Sequence, residues 1–520
     1  MAIPEFADLM DDDDPSPGNP VRVLQMAGIL IDLAHDQPNP ELREAGTARA
    51  LGWLASLDTV ELTSGQKIEQ LFFIANAWEN RRPAQSLADA VWQWHQPAIK
   101  KQIFYLRLAV GHPDFEAAGT FRQCEILTNL AGQLDWLGRF VEALELWNRA
   151  LALRPDFVMA LGNRGIGRVS CAKIYYASQT RERYVWEAHA DLKRAVELGI
   201  ERSYPDQHAV AYFAAKLREL EAHTHPDFLA HPAKPIEYPL GETGEERSYR
   251  SWVLDNCLFL DPLNDLGRFT TAADQLLLPA IRTNLNQASP PPVFGLFNQL
   301  KQEYVSARYV FFEGLRSSGP HFSDRDVLLT NTLDYPTYGL STEKVKLAFR
   351  SLYSLFDKVA FFLNLYLDLG VSADKVSFRT IWWSKMPLPQ FAGVLRKPFV
   401  DMPNLPFRGL YWLSKDFFER GAQEVMAPDA SDLKDERDHL EHGFYHVTEG
   451  WAGRERGAVA HVLSIEELRI KTLRLMKLAR AALIYLVCGI HIHERQRAKD
   501  DDVGLVMPML VDFFEDEWKS

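Results

Sequence analysis

Residues 126–165 read ILTNLAGQLDWLGRFVEALELWNRALALRPDFVMALGNRG. Apolar residues recur at three-and-four spacing on both sides of Gly138, the pattern of two amphipathic helices joined by a short turn. Ala131, Ala143 and Ala150 are small where two helices must cross closely. Trp147 is large enough to fill the gap between neighbouring hairpins, and Pro155 stops the second helix. A further unit begins at Met159, reaches Ala177, and then stretches, with ADLKRAVELG (190–199) as its second helix.

The set Ala131, Gly138, Ala143, Trp147, Ala150 and Pro155 resembles one good copy of a tetratricopeptide (TPR) repeat flanked by degenerate copies. A plain helical bundle is the alternative. Working outward, VRVLQMAGILIDLA (21–34), ELREAGTARALGWLASL (41–57), GQKIEQLFFIANAWEN (65–80) and IKKQIFYLRLAVG (99–111) have the same amphipathic spacing, separated by HDQPNP and NRRP. Short connections between such helices predict antiparallel hairpins over 21–221. Residues 1–20, with Asp11–Asp14 and PSPGNP, are expected to form an acidic disordered tail.

The bulk numbers limit the function classes. The chain has 520 residues, enough for two to four domains of roughly 150 residues each. Its net charge of -13 argues against coating nucleic acid through bulk charge, though not against a local basic pocket. Four cysteines, far apart, make neither a disulfide framework nor a CxxC pair. The longest uncharged apolar run, 481–490, is too short to span a bilayer, and the N-terminus lacks the pattern of a secretory leader. A cytoplasmic protein that does not engage a membrane is expected.

Residues 222–248 are rich in Pro, His and Gly and are read as a linker. His223, His225 and His231 have no cysteine partners there, and exposed histidines are the simpler reading than a metal site. Beyond it the helices become longer and richer in aromatics, at 294–315, 343–369 and 464–493. Ser464 with Glu467 forms a capping-box signature for the last of these. VSFRTIWW (376–383) is the best strand candidate. An acidic segment, 496–520, closes the chain. The fold class is all-α.

Several chemistries are missing: there is no GxxxxGK[ST], no full GxGxxG, no HExxH and no GxSxG. The informative stretch is SDLKDERDHLEHGFYHVTEGW (431–451), which gathers Arg437, Asp438, His439, Glu441, His442 and His446. Histidines 439, 442 and 446 at i, i+3 and i+7 would share a helical face and could ligate zinc, although His-Leu-Glu-His is no zincin arrangement. The other chemistry is metal-independent cleavage of RNA, which carries its own nucleophile in the 2'-hydroxyl. Histidine suits the base, and arginine offers a fork of donors matched to phosphate oxygens. Arg437 and His442 supply that pair.

Arg437-Asp438-His439-Leu440-Glu441-His442 resembles the R-x4-6-H motif of HEPN domains. The surrounding segments 249–266, 294–314, 348–364 and 404–418 resemble a long bacterial HEPN branch with a TPR-like N-terminal region. The resemblance covers roughly 249–492, and a HEPN-like domain is assigned to 249–495. It implies a helical homodimer whose active site draws on both protomers. It also implies an RNase, in many relatives a toxin or anti-phage effector, acting on RNA with tRNA as one candidate substrate. No cofactor and no metal are implied. His442 would be the general base and Arg437 the phosphate ligand. Asp438 would orient them, and His439 and His446 are secondary candidates for protonating the leaving oxygen. The family more usually has asparagine where this chain has Asp438, which adds negative charge where a phosphate must sit.

On an ideal helix Arg437 and His442 point about 140° apart, so a helix start near Arg437 or a second chain is needed to join them. Tyr353, Asp357 and Asn364, at i, i+4 and i+11 in an apolar stretch, form a shared polar face that could meet the motif helix; a structural polar stripe is the alternative. Glu441 is a supporting residue through a possible ion pair with Arg437. Trp382, Trp383, Tyr411 and Trp412 are candidates for base stacking, or else core. The TPR-like region would hold a protein or peptide. The second functional reading is a non-catalytic TPR/HEPN dimer that binds proteins or nucleotides.

Overall fold

The computed structural model describes residues 5–11, 14–82, 93–232, 238–267, 271–284, 292–316, 319–331, 336–387, 393–418, 428–442, 444–449, 460–498, 506–508 and 516–519. Within these, the side chains of 283–284, 428–432, 442, 444, 460, 506–508 and 517 lie outside the description. The chain divides into two compact units: 1–171 with 185–232 and 415–431, and 172–184 with 233–414 and 432–520. Helices dominate both, as the all-α reading expects.

In the first unit the helices are α1 (Phe6–Asp11), α2 (Pro20–His35), α3 (Pro40–Ser56), α4 (Ser64–Asn80), α5 (Pro97–Val110), α6 (Gly119–Trp136) and α7 (Phe140–Leu153). They are followed by α8 (Val158–Ile174) and α9 (Ser178–Glu201), whose residues within 172–184 belong to the second unit, and by α10 (Gln207–Ala222) and α11 (Pro226–Ala230). Helices α2 and α3 begin the same way. Asn19 and Asn39 accept hydrogen bonds from the backbone of Arg22 (3.2 Å) and Glu41 (2.8 Å), and a proline takes the first helical position. Thr63 and Gln66 form a reciprocal capping box for α4. Within the stretch read as an acidic tail, residues 6–11 form helix α1. Leu9 is buried, and Asp14 accepts a 2.7 Å hydrogen bond from Trp53. Phe6 and Met10 pack against the same core as Leu9, and Arg49 binds the Met10 carbonyl (2.8 Å) and Asp14 (3.1 Å), so three apolar side chains and two side-chain donors dock this short acidic helix.

The 126–165 stretch folds as its residue sizes require. Gly138 takes a φ of +90° in the turn between α6 and α7, and the Arg139 N–H closes on the Leu134 carbonyl at 2.8 Å. Ala131, Ala143 and Ala150 are fully covered. Trp147 fills the space over Gly167 of α8, where a Cβ would come within 2.5 Å of the indole. Arg164 and Arg168 of α8 converge on Asp191 of α9, each at 2.6 Å. The three linker histidines bind nearby backbone: His225 caps α11, and the rings of His223 and His231 lie 2.8 and 3.0 Å from the carbonyls of Glu219 and Asp227.

The second unit contains α12 (Gly244–Asp255), α13 (Pro292–Arg316), α14 (Leu340–Tyr366), α15 (Lys397–Val400) and α17 (Pro428–His442, described from Asp432 within this unit). It also holds α18 (Ile465–Arg497) and most of α16 (Leu405–Phe418). Helices α13, α14 and α18 pack together, and their shared core includes Phe297, Tyr304, Phe349, Leu352, Phe356, Leu475, Leu483 and Tyr485. The capping box expected for α18 is present: the Glu467 N–H donates to the Ser464 hydroxyl at 3.1 Å and the carboxylate returns to the Ser464 N–H at 3.0 Å. By length and composition α18 could cross a membrane, but its most apolar 18-residue window is 83% buried within the protein. Two buried arginines tie the 256–276 segment to these helices. Arg308 binds Asp274 (2.7 Å) and the Leu258 carbonyl (2.8 Å), and Arg480 binds Asp265 (2.7 Å) and the Phe259 carbonyl (2.6 Å).

The strands among the described residues form three small pairs. Strands β1 (Arg282–Asn284) and β6 (Val506–Pro508) are antiparallel, as are β2 (Trp383–Lys385) and β3 (Val394–Leu395). Strands β4 (Phe444–Thr448) and β5 (Ala460–Ser464) are parallel and in register from 444/460 to 448/464. The strand expected over 376–383 is mostly turn, and only Trp383 enters β2. Its apolar residues Phe378, Ile381 and Trp382 are buried in the core, as are Tyr411 and Trp412 of α16, which withdraws Trp382, Tyr411 and Trp412 from base stacking.

Candidate active site

The motif helix α17 buries Leu433, Glu436 and Leu440, positions i, i+3 and i+7. That places Arg437 and Glu441 on the adjacent face. Arg437 is half-buried. It pairs with Asp438 at 3.0 Å and with Glu441, one turn on, at 2.9 Å, and its guanidinium sits 5.7 Å over the ring of Tyr353. Burial opposes the charge on Arg437, but Asp438 and Glu441 more than compensate and hold its pKa above the ordinary value. Asp438 is itself held below the usual carboxylate range: burial works against ionisation, and Arg437 and Lys434 (3.1 Å) outweigh it.

Tyr353 and Asp357 reach the same place from α14. Together with Lys358, Phe361, Arg437 and Glu441 they line an open cleft of about 290 Å3. Asp357 accepts a 2.9 Å hydrogen bond from the Phe378 N–H. Burial is the main influence on its carboxyl and raises the pKa, more than Phe378 and Arg437 lower it. Burial likewise pushes the Tyr353 phenol well up, with Asp357 adding to the rise. Lys358 is held by Glu303 at 2.6 Å. The cleft therefore presents one guanidinium among two carboxyls, a phenol and an ammonium.

The other sequence candidates go elsewhere. Asn364 turns to the backbone of Val371, donating at 2.8 Å and accepting at 3.0 Å, and clamps the end of α14 rather than facing the motif. His439 is exposed on α17, its Nδ1 2.6 Å from the Asp435 carbonyl and its ring stacked 4.4 Å from that of His461. His446 is buried on β4, so it does not share a helical face with His439. The helix ends at His442, and the β-forming run Phe444–Thr448 is strand β4. The side chain of His442 lies outside the described residues. Among the described residues no three His, Cys, Asp or Glu side chains are grouped to hold a metal ion.

Behind Arg437 lies a set of residues the sequence reading missed. The buried carboxylate of Glu436 accepts from Tyr445 Oη at 2.7 Å, lies 2.9 Å from His461 Nε2, and contacts the Lys471 ammonium. Burial alone would raise its pKa, but His461, Lys471 and Tyr445 bring it down to about 2. Arg350 of α14 donates to the Leu440 carbonyl at 2.5 Å, capping the end of the motif helix. These partners come from four separate elements, so spacing along the chain carried no signal of them. The only hint was an acidic residue at an apolar position of the helix.

Comparison with known proteins gave no match to a curated protein and no match to a solved structure. Residues 285–493 do match a family model, LA2681-like HEPN. That segment spans α13 to α17 and most of α18, including α14 and α17, whose residues line the cleft, and it identifies a HEPN domain in this part of the chain.

Proposed function

We propose that the chain is a metal-independent endoribonuclease whose active centre is the Arg437 cleft. The observation that carries this is the position of Arg437 within the HEPN segment: half-exposed, on the wall of an open cleft shared with Tyr353 and Asp357. A guanidinium there can take a phosphate by exchanging its bonds to Glu441 and Asp438 for bonds to phosphate oxygens. His442, five residues on at the end of α17, is the base that removes the 2'-hydroxyl proton. Attack of that oxygen on phosphorus then expels the 5'-oxygen, leaving a 2',3'-cyclic phosphate and a 5'-hydroxyl. Asp357, on the wall of the same cleft as Arg437, is the acid in this reading, giving a proton to the leaving 5'-oxygen. Burial removes His446 from direct contact with RNA. In this reading the chain works as a homodimer, the 21–221 helices form a TPR-like array that holds a regulatory protein or peptide, and tRNA is a candidate substrate. A defence or toxin role is the biological expectation.

A specific observation favours the second reading, a non-catalytic dimer. Arg437 is already paired with two carboxylates, and Asp438 puts a negative charge beside the phosphate position. RNA cleavage in EDTA separates the two. Wild type should cut total tRNA or a structured mRNA and leave cyclic phosphate ends, and Arg437→Ala and His442→Ala should each lose the activity. Cleavage that persists in both variants would remove the cleft from the chemistry.

A further inference from the structure

A second cavity in the same unit lies apart from the Arg437 cleft and shares no residue with it. Its volume is about 480 Å3, and it is bounded by Tyr176, the stretch 278–282, and the last turns of α18 at His491, Glu494, Arg495 and Ala498. Much of its wall is apolar. Leu278, Pro279 and Ile281 are among the residues that line it. The Tyr176 hydroxyl is already committed, donating to the Leu277 carbonyl at 2.5 Å and accepting from the Leu277 N–H at 3.2 Å, so Tyr176 offers the cavity a ring and no free polar group. The His491 ring stands 5.6 Å from that ring.

The charge in this cavity is one-sided. Among the described residues its single carboxylate, Glu494, is buried and occupied: it accepts from Tyr366 Oη (2.6 Å), Arg497 (2.9 Å) and the Arg282 N–H (3.0 Å). Arg495 is exposed at the rim and makes no ion pair among the described residues. Among the described residues the Arg282 guanidinium reaches the Arg497 carbonyl, at 3.5 Å. His491 records the surplus: burial first, then Arg495 and Arg181, push its pKa down to about 4, so at neutral pH it is an uncharged ring with one N–H to donate. In a chain of net charge -13, guanidiniums with no carboxylate partner among the described residues, beside an apolar hollow, mark a place for an anion.

We propose that this cavity binds a small organic anion with an apolar body, its carboxylate or phosphate head on Arg495 and Arg282 and its body against Tyr176, Leu278 and Ile281. Two features favour such an amphipathic ligand over a plain inorganic anion: the wall is largely apolar, and the aromatic residues offer faces rather than hydroxyls. The site stands whether or not the Arg437 cleft cleaves RNA.

The test is calorimetric titration of the full chain with four probes: 1-naphthoate, its neutral amide 1-naphthamide, inorganic phosphate and AMP. Naphthoate should bind, and the amide and phosphate should each bind at least about tenfold more weakly. Arg495→Glu, a surface change whose folding is checked by its melting curve, should weaken naphthoate at least about tenfold, while Arg437→Ala leaves it unchanged. Four results would overturn the proposal: no binding of naphthoate, equal binding of the amide, equal binding of phosphate, or indifference to Arg495→Glu. AMP bound through Arg495 while naphthoate is not would also overturn it, replacing the proposed class with a nucleotide.

Discussion

Arg437 and Glu441 are joined at 2.9 Å across one turn of α17, on the wall of the cleft where Tyr353 also meets the guanidinium. The pair holds the arginine in place but also neutralises it, and a phosphate must displace the carboxylate. Glu441→Gln keeps the side-chain length and removes the charge. It is expected to tighten RNA binding about two- to fivefold in a filter or polarisation assay. Arg437→Ala should reduce cleavage by about a hundredfold or more. Unchanged binding in Glu441→Gln would show that phosphate does not compete with this carboxylate.

Asp357 is the second test of the cleft. Asn at this position can still accept the Phe378 N–H, so Asp357→Asn should fold and melt like the wild type. It cannot donate a carboxylic proton. A loss of about tenfold to a hundredfold in cleavage rate is expected, with most of the loss in kcat rather than KM. If the rate is unchanged, Asp357 serves only to hold the Phe378 backbone.

Glu436 supplies stability rather than chemistry. Glu436→Gln leaves Lys471 beside a neutral amide and weakens the contacts to His461 and Tyr445, and should cost about 2 kcal/mol in urea unfolding. The carboxylate has a folded pKa of about 2 against an ordinary 4.5. The unfolded chain therefore binds this proton more tightly. The stabilisation is complete above about pH 4.5 and is lost as the pH falls toward 2. The wild type and the variant should accordingly converge in stability at the acid end of that window.

Asp135, at the end of α6, has the opposite sign. Burial raises its pKa from 3.8 to about 6. Its charged form is disfavoured in the fold, so the wild type should gain stability as the pH drops through 6 toward 4. Asp135→Asn should raise the melting temperature at pH 7.5 and leave it nearly unchanged at pH 4. Equal gains at both values would mean that the effect is not one of charge.

What could be read from the chain was whatever depends on neighbours within a few turns. The amphipathic helices of both units, the Ser464–Glu467 capping box, and the turn and small crossing positions around Gly138 follow from local sterics and from 3.6-residue periodicity. Those forces act over the same distance as a short stretch of sequence. The clustering of charge and histidine at 431–451 was legible for the same reason, and so was the likeness of its surroundings to HEPN domains.

Tertiary structure decided the contacts between residues far apart in sequence. Tyr353 and Asp357 lie on the Arg437 cleft while Asn364, on the same helix, turns away to Val371. Nothing in a periodicity distinguishes them, because the end of α14 and the loop after it set where Asn364 can bond. His446 does not share a helical face with His439, because residues 444–448 pair in parallel with 460–464 instead of adding a further helical turn. Glu436 was hidden as a polar residue in a polar run, and only the arrival of Tyr445, His461 and Lys471 makes a buried carboxylate tolerable. A charge deep in a protein is stable only with its partners in place, and the fold alone assembles them.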